Sequence, residues 1–170
     1  TCYKSEIKKM YEDEFRLKLY SGFEHATEGL GIEEGEIVQR YFTVSSSVNT
    51  GLKILDIGCG GGREAFALEV LGYEVTGADI SNRMIEEAER NKEKLKSKVR
   101  FICAAADELE FEEGSFDAVI IWNQMLENIL ESEDRKRILE RCHSFLKPGG
   151  ILSYTVFNSK YSIRNLLGVI

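Results

Sequence analysis

The sequence predicts an α/β fold, a doubly wound and mostly parallel sheet preceded by a helical cap. Three observations carry this. From residue 51 onward, short apolar runs alternate with stretches of helical period. The runs are apolar throughout, as in Ala118-Val119-Ile120-Ile121-Trp122, which marks strands buried on both faces. The first run, Ile54-Leu55-Asp56-Ile57, leads directly into Gly58-Cys59-Gly60-Gly61-Gly62, the pattern of a strand that turns tightly into a helix.

Taken in order, residues 4–20 read as one helix, with Ile7, Met10, Tyr11, Phe15 and Leu17 on its apolar face and Ser21-Gly22 as its stop. Glycines 29, 31 and 35 suggest a turn, and residues 36–44 a second short helix. Residues 45–51 form a polar joint, so the chain divides into a cap, 1–50, and a main domain, 51–170. Lys53–Ile57 is strand one and residues 63–71 the helix after it, stopped by Gly72. Residues 73–78 form strand two. Ser81 caps a helix over 82–96. Residues 99–104 and 116–122 are strands three and four. Residues 134–146 are helical, Pro148-Gly149-Gly150 is a turn, and 151–157 is strand five. The segment from Ser159 is compatible with a helix.

At 170 residues, 43% hydrophobic and 30% charged, the composition is that of an ordinary globular domain. A net charge of −7 disfavours nucleic acid, whose partners show basic surfaces. No apolar run approaches the length of a membrane-spanning helix. Cys2, Cys59, Cys103 and Cys142 form no CxxC pair, so they read as reduced thiols in a cytoplasmic protein, and no metal site is expected.

Ligands of open parallel sheets bind beyond the carboxyl ends of the strands. There stand the glycine loop, Asp79 after strand two, Asp107 after strand three, and Asn123-Gln124 after strand four. An acid at the end of strand two can accept hydrogen bonds from both ribose hydroxyls and repels a 2′-phosphate. A polar group past strand three can take an adenine amino proton. Asp56 beside the glycines suits a cationic or amine-bearing tail better than a phosphate.

Asp56-Ile57-Gly58-Cys59-Gly60-Gly61-Gly62 resembles the DxGxGxG signature of class I S-adenosylmethionine-dependent methyltransferases, a Rossmann-like family. Val75-Thr76-Gly77-Ala78-Asp79-Ile80-Ser81, Ala105-Ala106-Asp107, Phe116-Asp117-Ala118-Val119 and Leu146-Lys147-Pro148-Gly149-Gly150 resemble its later motifs, in the family's order. The resemblance covers residues 51–157. It implies strand order 3-2-1-4-5, with S-adenosylmethionine as cofactor and direct methyl transfer. Asp56, Gly58, Gly60 and Gly62, with Cys59, would shape the methionine end. Asp79, with Ile80, would hold the ribose. Asp107, with Ala106 and Glu108, would hold the adenine. Asn123 and Gln124 would flank the sulfonium, and Tyr11, Gln124 and Asn128 the methyl acceptor. Many family members carry histidine where Asn128 stands. They also continue past strand five with a helix and an antiparallel strand pair, which a chain ending at Ile170 would lack.

The acceptor is expected to be a small molecule, with a protein acceptor as the other option; the sequence sets no oligomeric state. Two other functions compete with this one. A non-catalytic module would bind the cofactor without transferring a methyl group. An NAD-dependent dehydrogenase would use Asp79 as its ribose acid, although Arg63 stands where the dinucleotide fingerprint wants glycine. Cys59 reads as a small filler, Asp117 as a structural acid at a strand start, and His25 as a solvated loop residue. Trp122 is balanced between core and stacking ring. Tyr11 and Tyr20 read either as a lid over the ligand or as packing on the sheet.

Overall fold

The computed structural model describes residues 2–42, 51–123 and 125–156. The expected joint at 45–50, Gln124 and the stretch from 157 onward lie outside the described residues. The sheet consists of β1 (Lys53–Ile57), β2 (Glu74–Asp79), β3 (Arg100–Cys103), β4 (Phe116–Ile121) and β5 (Leu146–Tyr154). Its order is β3-β2-β1-β4-β5, and every neighbouring pair is parallel. This is the predicted order.

Helices α5 (Arg63–Val70), α6 (Asn82–Leu95) and α7 (Ser132–Phe145) connect the strands, with a short 3-10 turn at Met125–Asn128. Successive strand residues point to opposite faces, and each face has its own core. Ile54, Val75, Ala118 and Ile120 pack with Ala65, Phe66 and Leu68 of α5. Leu55, Ile57, Val119 and Ile121 pack with Ile138, Cys142 and Phe145 of α7. Two apolar faces are what made these runs continuous in the sequence. Trp122 belongs to the first core. It is 2% exposed, stacks on Phe42 at 6.4 Å, and donates its indole N–H to Ser153 Oγ at 2.9 Å.

The amino-terminal segment departs from the sequence reading. Instead of one helix over 4–20 there are two, α1 (Cys2–Tyr11) and α2 (Glu14–Ser21). Asp13 makes the break. Its backbone is extended and its side chain accepts from the N–H groups of Phe15 and Arg16, which caps a new helix. A single turn, α3 (Phe23–Ala26), follows. Then α4 (Ile32–Tyr41) begins before the predicted residue 36, because Glu34 accepts from the Gly31 N–H at 2.7 Å and closes the helix start. Gly35 is therefore inside a helix, not in a turn.

β5 also starts early. Phe116 pairs with Leu146 and Ala118 with Ile151, so residues 147–150 of β5 stand against Asp117 alone. The predicted Pro-Gly-Gly turn is thus an irregularity within the strand. Asp117 anchors it: both carboxylate oxygens accept from Lys147 Nζ at 2.8 Å, and one accepts from the Lys53 N–H at 2.8 Å.

Candidate functional site

The carboxyl ends of β1, β2, β3 and β4 open into one cavity of about 940 Å³, mouth included. Its floor is the glycine loop, Asp79 and Ile80 after β2, Ala104 to Ala106 after β3, and Trp122 and Asn123 after β4. The amino-terminal helices supply the opposite wall through Ile7, Tyr11, Tyr20 and His25.

The loop is shaped by close approach. Gly58 has φ +82°, and a Cβ there would lie 2.9 Å from Met125 Cγ. Gly61 would place a Cβ 2.2 Å from Ser21 Cα, so the end of α2 rests directly on the loop. The Gly61 N–H donates to Tyr20 O at 3.0 Å, and Asn91 of α6 donates to Ser21 O at 2.9 Å and Gly61 O at 3.2 Å. The cap and the loop are therefore one packed unit at this point.

Asp79 lines the cavity and accepts from the N–H groups of Gly60 at 3.0 Å and Ser81 at 2.8 Å. Burial raises its carboxyl above the usual range, and these backbone donors pull the other way. Asp56 is only 2% exposed and sits beneath the lining rather than in it. Burial first, then the charges of Glu64 and Asp79, hold its carboxyl well above the usual range, and its Oδ2 is buried without a hydrogen-bond partner. Cys59 lines the cavity, but burial and the nearby acids Asp56, Asp79 and Glu64 push its thiol well up, which suits a filler and not a nucleophile.

Glu64 was not singled out in the sequence, yet it lines the cavity. Its Oε1 accepts from Arg63 and from Asn123 Nδ2. An acid in the first turn of a helix complements the helix dipole, and that ordinary reading hides it. His25 also stands in the wall, half-buried. Its Nδ1 lies 2.9 Å from Glu28 Oε2, and its ring meets Tyr20 edge-on at 6.3 Å. No periodic pattern marks a histidine in a single-turn helix, so only the folded chain reveals it.

Asn128 donates to Tyr11 Oη at 3.0 Å, which joins the 3-10 turn to α1 across the cavity. Burial raises the Tyr11 phenol, as do Tyr20 and Asp79. Tyr11 and Tyr20 themselves meet at 6.0 Å. Asp107 and Glu108 do not line the cavity as Ala106 does. They hold Lys4 of α1, at 2.8 Å and 2.7 Å, and Arg137 approaches Asp107 to 3.6 Å.

A parallel 3-2-1-4-5 sheet with its cavity at the switch between β1 and β4 defines a Rossmann-like α/β protein. Within that class the chain belongs to the methyltransferase domain family, whose sequence profile matches residues 54–150. It is similar to the ubiquinone biosynthesis O-methyltransferases of Chromobacterium violaceum (32% identical over 109 residues, 64% of this chain and 45% of that protein) and Xanthomonas campestris (35% over 109 residues, 64% and 44%). The chain spans less than half the length of these relatives. Among solved structures it resembles the PH0226 protein of Pyrococcus horikoshii (27% identical, TM-score 0.63, 87% of this chain and 66% of that one). A SAM-dependent methyltransferase of Methanosarcina mazei is 30% identical, with TM-score 0.61 over 73% of this chain and 57% of that one. Among the described residues no helix is long and apolar enough to cross a membrane.

Proposed function

We propose that this chain is an S-adenosylmethionine-dependent methyltransferase acting on a small-molecule acceptor, with residues 1–50 as a cap over the 51–170 domain. One observation carries the cofactor assignment. Among the described residues, the lining of the cavity includes the carboxylates of Asp79 and Glu64 but no lysine or arginine. Such a lining suits a nucleoside with a cationic tail. The pyrophosphate of NAD would lie against acids, which disfavours the dehydrogenase reading.

When bound, S-adenosylmethionine supplies a methyl group activated on a sulfonium. The chain has to orient the partners and manage a proton. Asp79 and Ile80 would hold the ribose. Ala106, backed by Asp107 and Glu108 on Lys4, would close the adenine end. Gly58, Cys59, Gly60 and Asn123 would surround the tail, with Gly62 packed behind the loop on Phe66 and Phe101 and Asp56 beneath. Tyr11 and Asn128 would face the acceptor. The name of the curated relatives supports an acceptor with a hydroxyl group. For such an acceptor, His25 of the cavity wall would take the proton. A carboxylate at Nδ1 favours the tautomer with the proton there, leaving Nε2 free to accept. The free thiols of Cys59, Cys103 and Cys142 support a reducing, cytoplasmic setting.

Calorimetric titration with S-adenosylhomocysteine and with NAD tests this. Micromolar binding of the first and none of the second is expected. Asp79→Ala should weaken binding by about 1–3 kcal/mol, the scale of lost charge-assisted hydrogen bonds. Binding of NAD alone overturns the assignment. An unchanged affinity in a folded Asp79→Ala variant removes the ribose role.

A further inference from the structure

The charge around Glu64 does not balance. Arg63 donates to Glu34 at 2.6 Å and 2.9 Å, to Gly29 O at 2.7 Å, and to Glu64. One guanidinium thus serves two carboxylates, and all three side chains are largely withdrawn from solvent, at 10%, 13% and 6% exposure for Arg63, Glu34 and Glu64. Buried charge in excess of its partners is costly unless a further cation arrives. Of the two carboxylates, only that of Glu64 faces the cavity, where Asn123 fixes one of its oxygens. Asp56 lies beneath, fully buried, with an orphaned oxygen and with Glu64 among the charges that raise its carboxyl above the usual range.

Position then selects the cation. Asp79 ends β2, Ala104 to Ala106 follow β3, and Glu64 and Asn123 stand over β1 and β4. An adenosine lying across the ends of β3 and β2 directs its 5′ substituent toward β1 and β4. The far end of that substituent would then lie on the side of the cavity that Glu64 lines. We propose that Glu64, held by Asn123 and Arg63, is the counter-charge for the α-ammonium group of the cofactor's amino-acid tail. This assignment rests on the methyltransferase reading. It makes Glu64, not the buried Asp56, the acid that recognises the tail. A phosphate or carboxylate at the same place would be repelled.

The test compares ligands that differ in the charged groups of the tail, 5′-methylthioadenosine lacking the α-carboxylate as well as the ammonium. S-adenosylhomocysteine carries the ammonium without a sulfonium, S-adenosylmethionine carries both, and 5′-methylthioadenosine carries neither. Calorimetry on wild type and Glu64→Gln should show S-adenosylhomocysteine and S-adenosylmethionine weakened alike, by about 10- to 100-fold, the range of a lost charge-assisted contact. Binding of 5′-methylthioadenosine should be unchanged, which also reports an intact fold. An independent arm leaves the protein untouched: the deamino analogue of S-adenosylhomocysteine should bind wild type about 10- to 100-fold more weakly than its parent. Equal loss of all three ligands in Glu64→Gln would make Glu64 structural and overturn the proposal. Selective loss of S-adenosylmethionine would assign it to the sulfonium instead. Full retention of S-adenosylhomocysteine affinity would remove the contact. Should wild type bind none of the three, the methyltransferase reading falls first, and this inference with it.

Discussion

Asp56 shows how a single residue can carry a cost that the fold alone does not require. Its carboxyl is buried at the end of β1 with one oxygen unpartnered, and burial together with Glu64 and Asp79 raises its pKa. For an acid raised in the folded state, the sign of the linkage is fixed. Below about pH 3.8, the unfolded value, the group is protonated in both states and costs nothing. As pH climbs above that value the unfolded chain releases the proton first, and stability is lost until the folded carboxyl also titrates. Asp56→Asn should therefore raise the melting temperature of the ligand-free protein at pH 7 and leave it unchanged near pH 3.5. Thermal melts of both proteins across that range decide the matter. A gain independent of pH would mean that ionisation is not the cause. A stability cost retained beside a ligand cavity is the pattern expected of a functional residue.

At the scale of elements, the decisive contact is that of α2 with the glycine loop. A Cβ on Gly61 would meet backbone and side chain of Ser21 at 2.2 Å and 2.7 Å, and backbone cannot swing aside as a side chain can. Gly61→Ala should push α2 off the loop at a cost of about 1–3 kcal/mol, leaving the sheet intact. Hydrogen exchange should then show faster opening in α2 but unchanged protection in β1 and β4. Equal protection in α2 would contradict the packing. Gly60→Val would also disturb this joint, since Gly60 has φ +51° and a Cβ there would lie 3.2 Å from Tyr20 O. The sequence made the strands legible because both sheet faces are buried, so Ile54-Leu55 and Val119-Ile120-Ile121 needed no periodic analysis. It did not make the cap legible. Apolar spacing runs on through Asp13, and only the capping geometry shows the break. Asp79 and the glycines were readable because they follow strands directly. Glu64 and His25 were not, because their roles depend on which distant elements fold over them.

For the molecule as a whole, the question is whether the cap and the sheet are one cooperative body. The links between them are polar as well as apolar. Arg63 of α5 holds Glu34 of α4, Arg83 of α6 donates to Glu12 O at 2.6 Å, Lys4 spans to Asp107, and Tyr73 donates to Phe42 O at 3.2 Å. Arg63 is the strongest of these, since its removal leaves Glu34 and Glu64 facing each other without a cation. Burial works against its charge, but Glu34 and Glu64 outweigh burial and keep the guanidinium protonated. Breaking such a buried group from one side costs about 3–5 kcal/mol. Arg63→Met should therefore lower stability by that amount, and denaturant unfolding followed by far-ultraviolet circular dichroism and by Trp122 fluorescence should still give one shared transition. Trp122 stacks on Phe42, the residue that ends α4, so its emission reports the joint between cap and sheet. If fluorescence changed at lower denaturant than ellipticity, the cap would be a separate unit whose docking is optional. Coincident transitions would mean that the cavity walls are assembled whenever the sheet is folded, so that the ligand meets a site already formed.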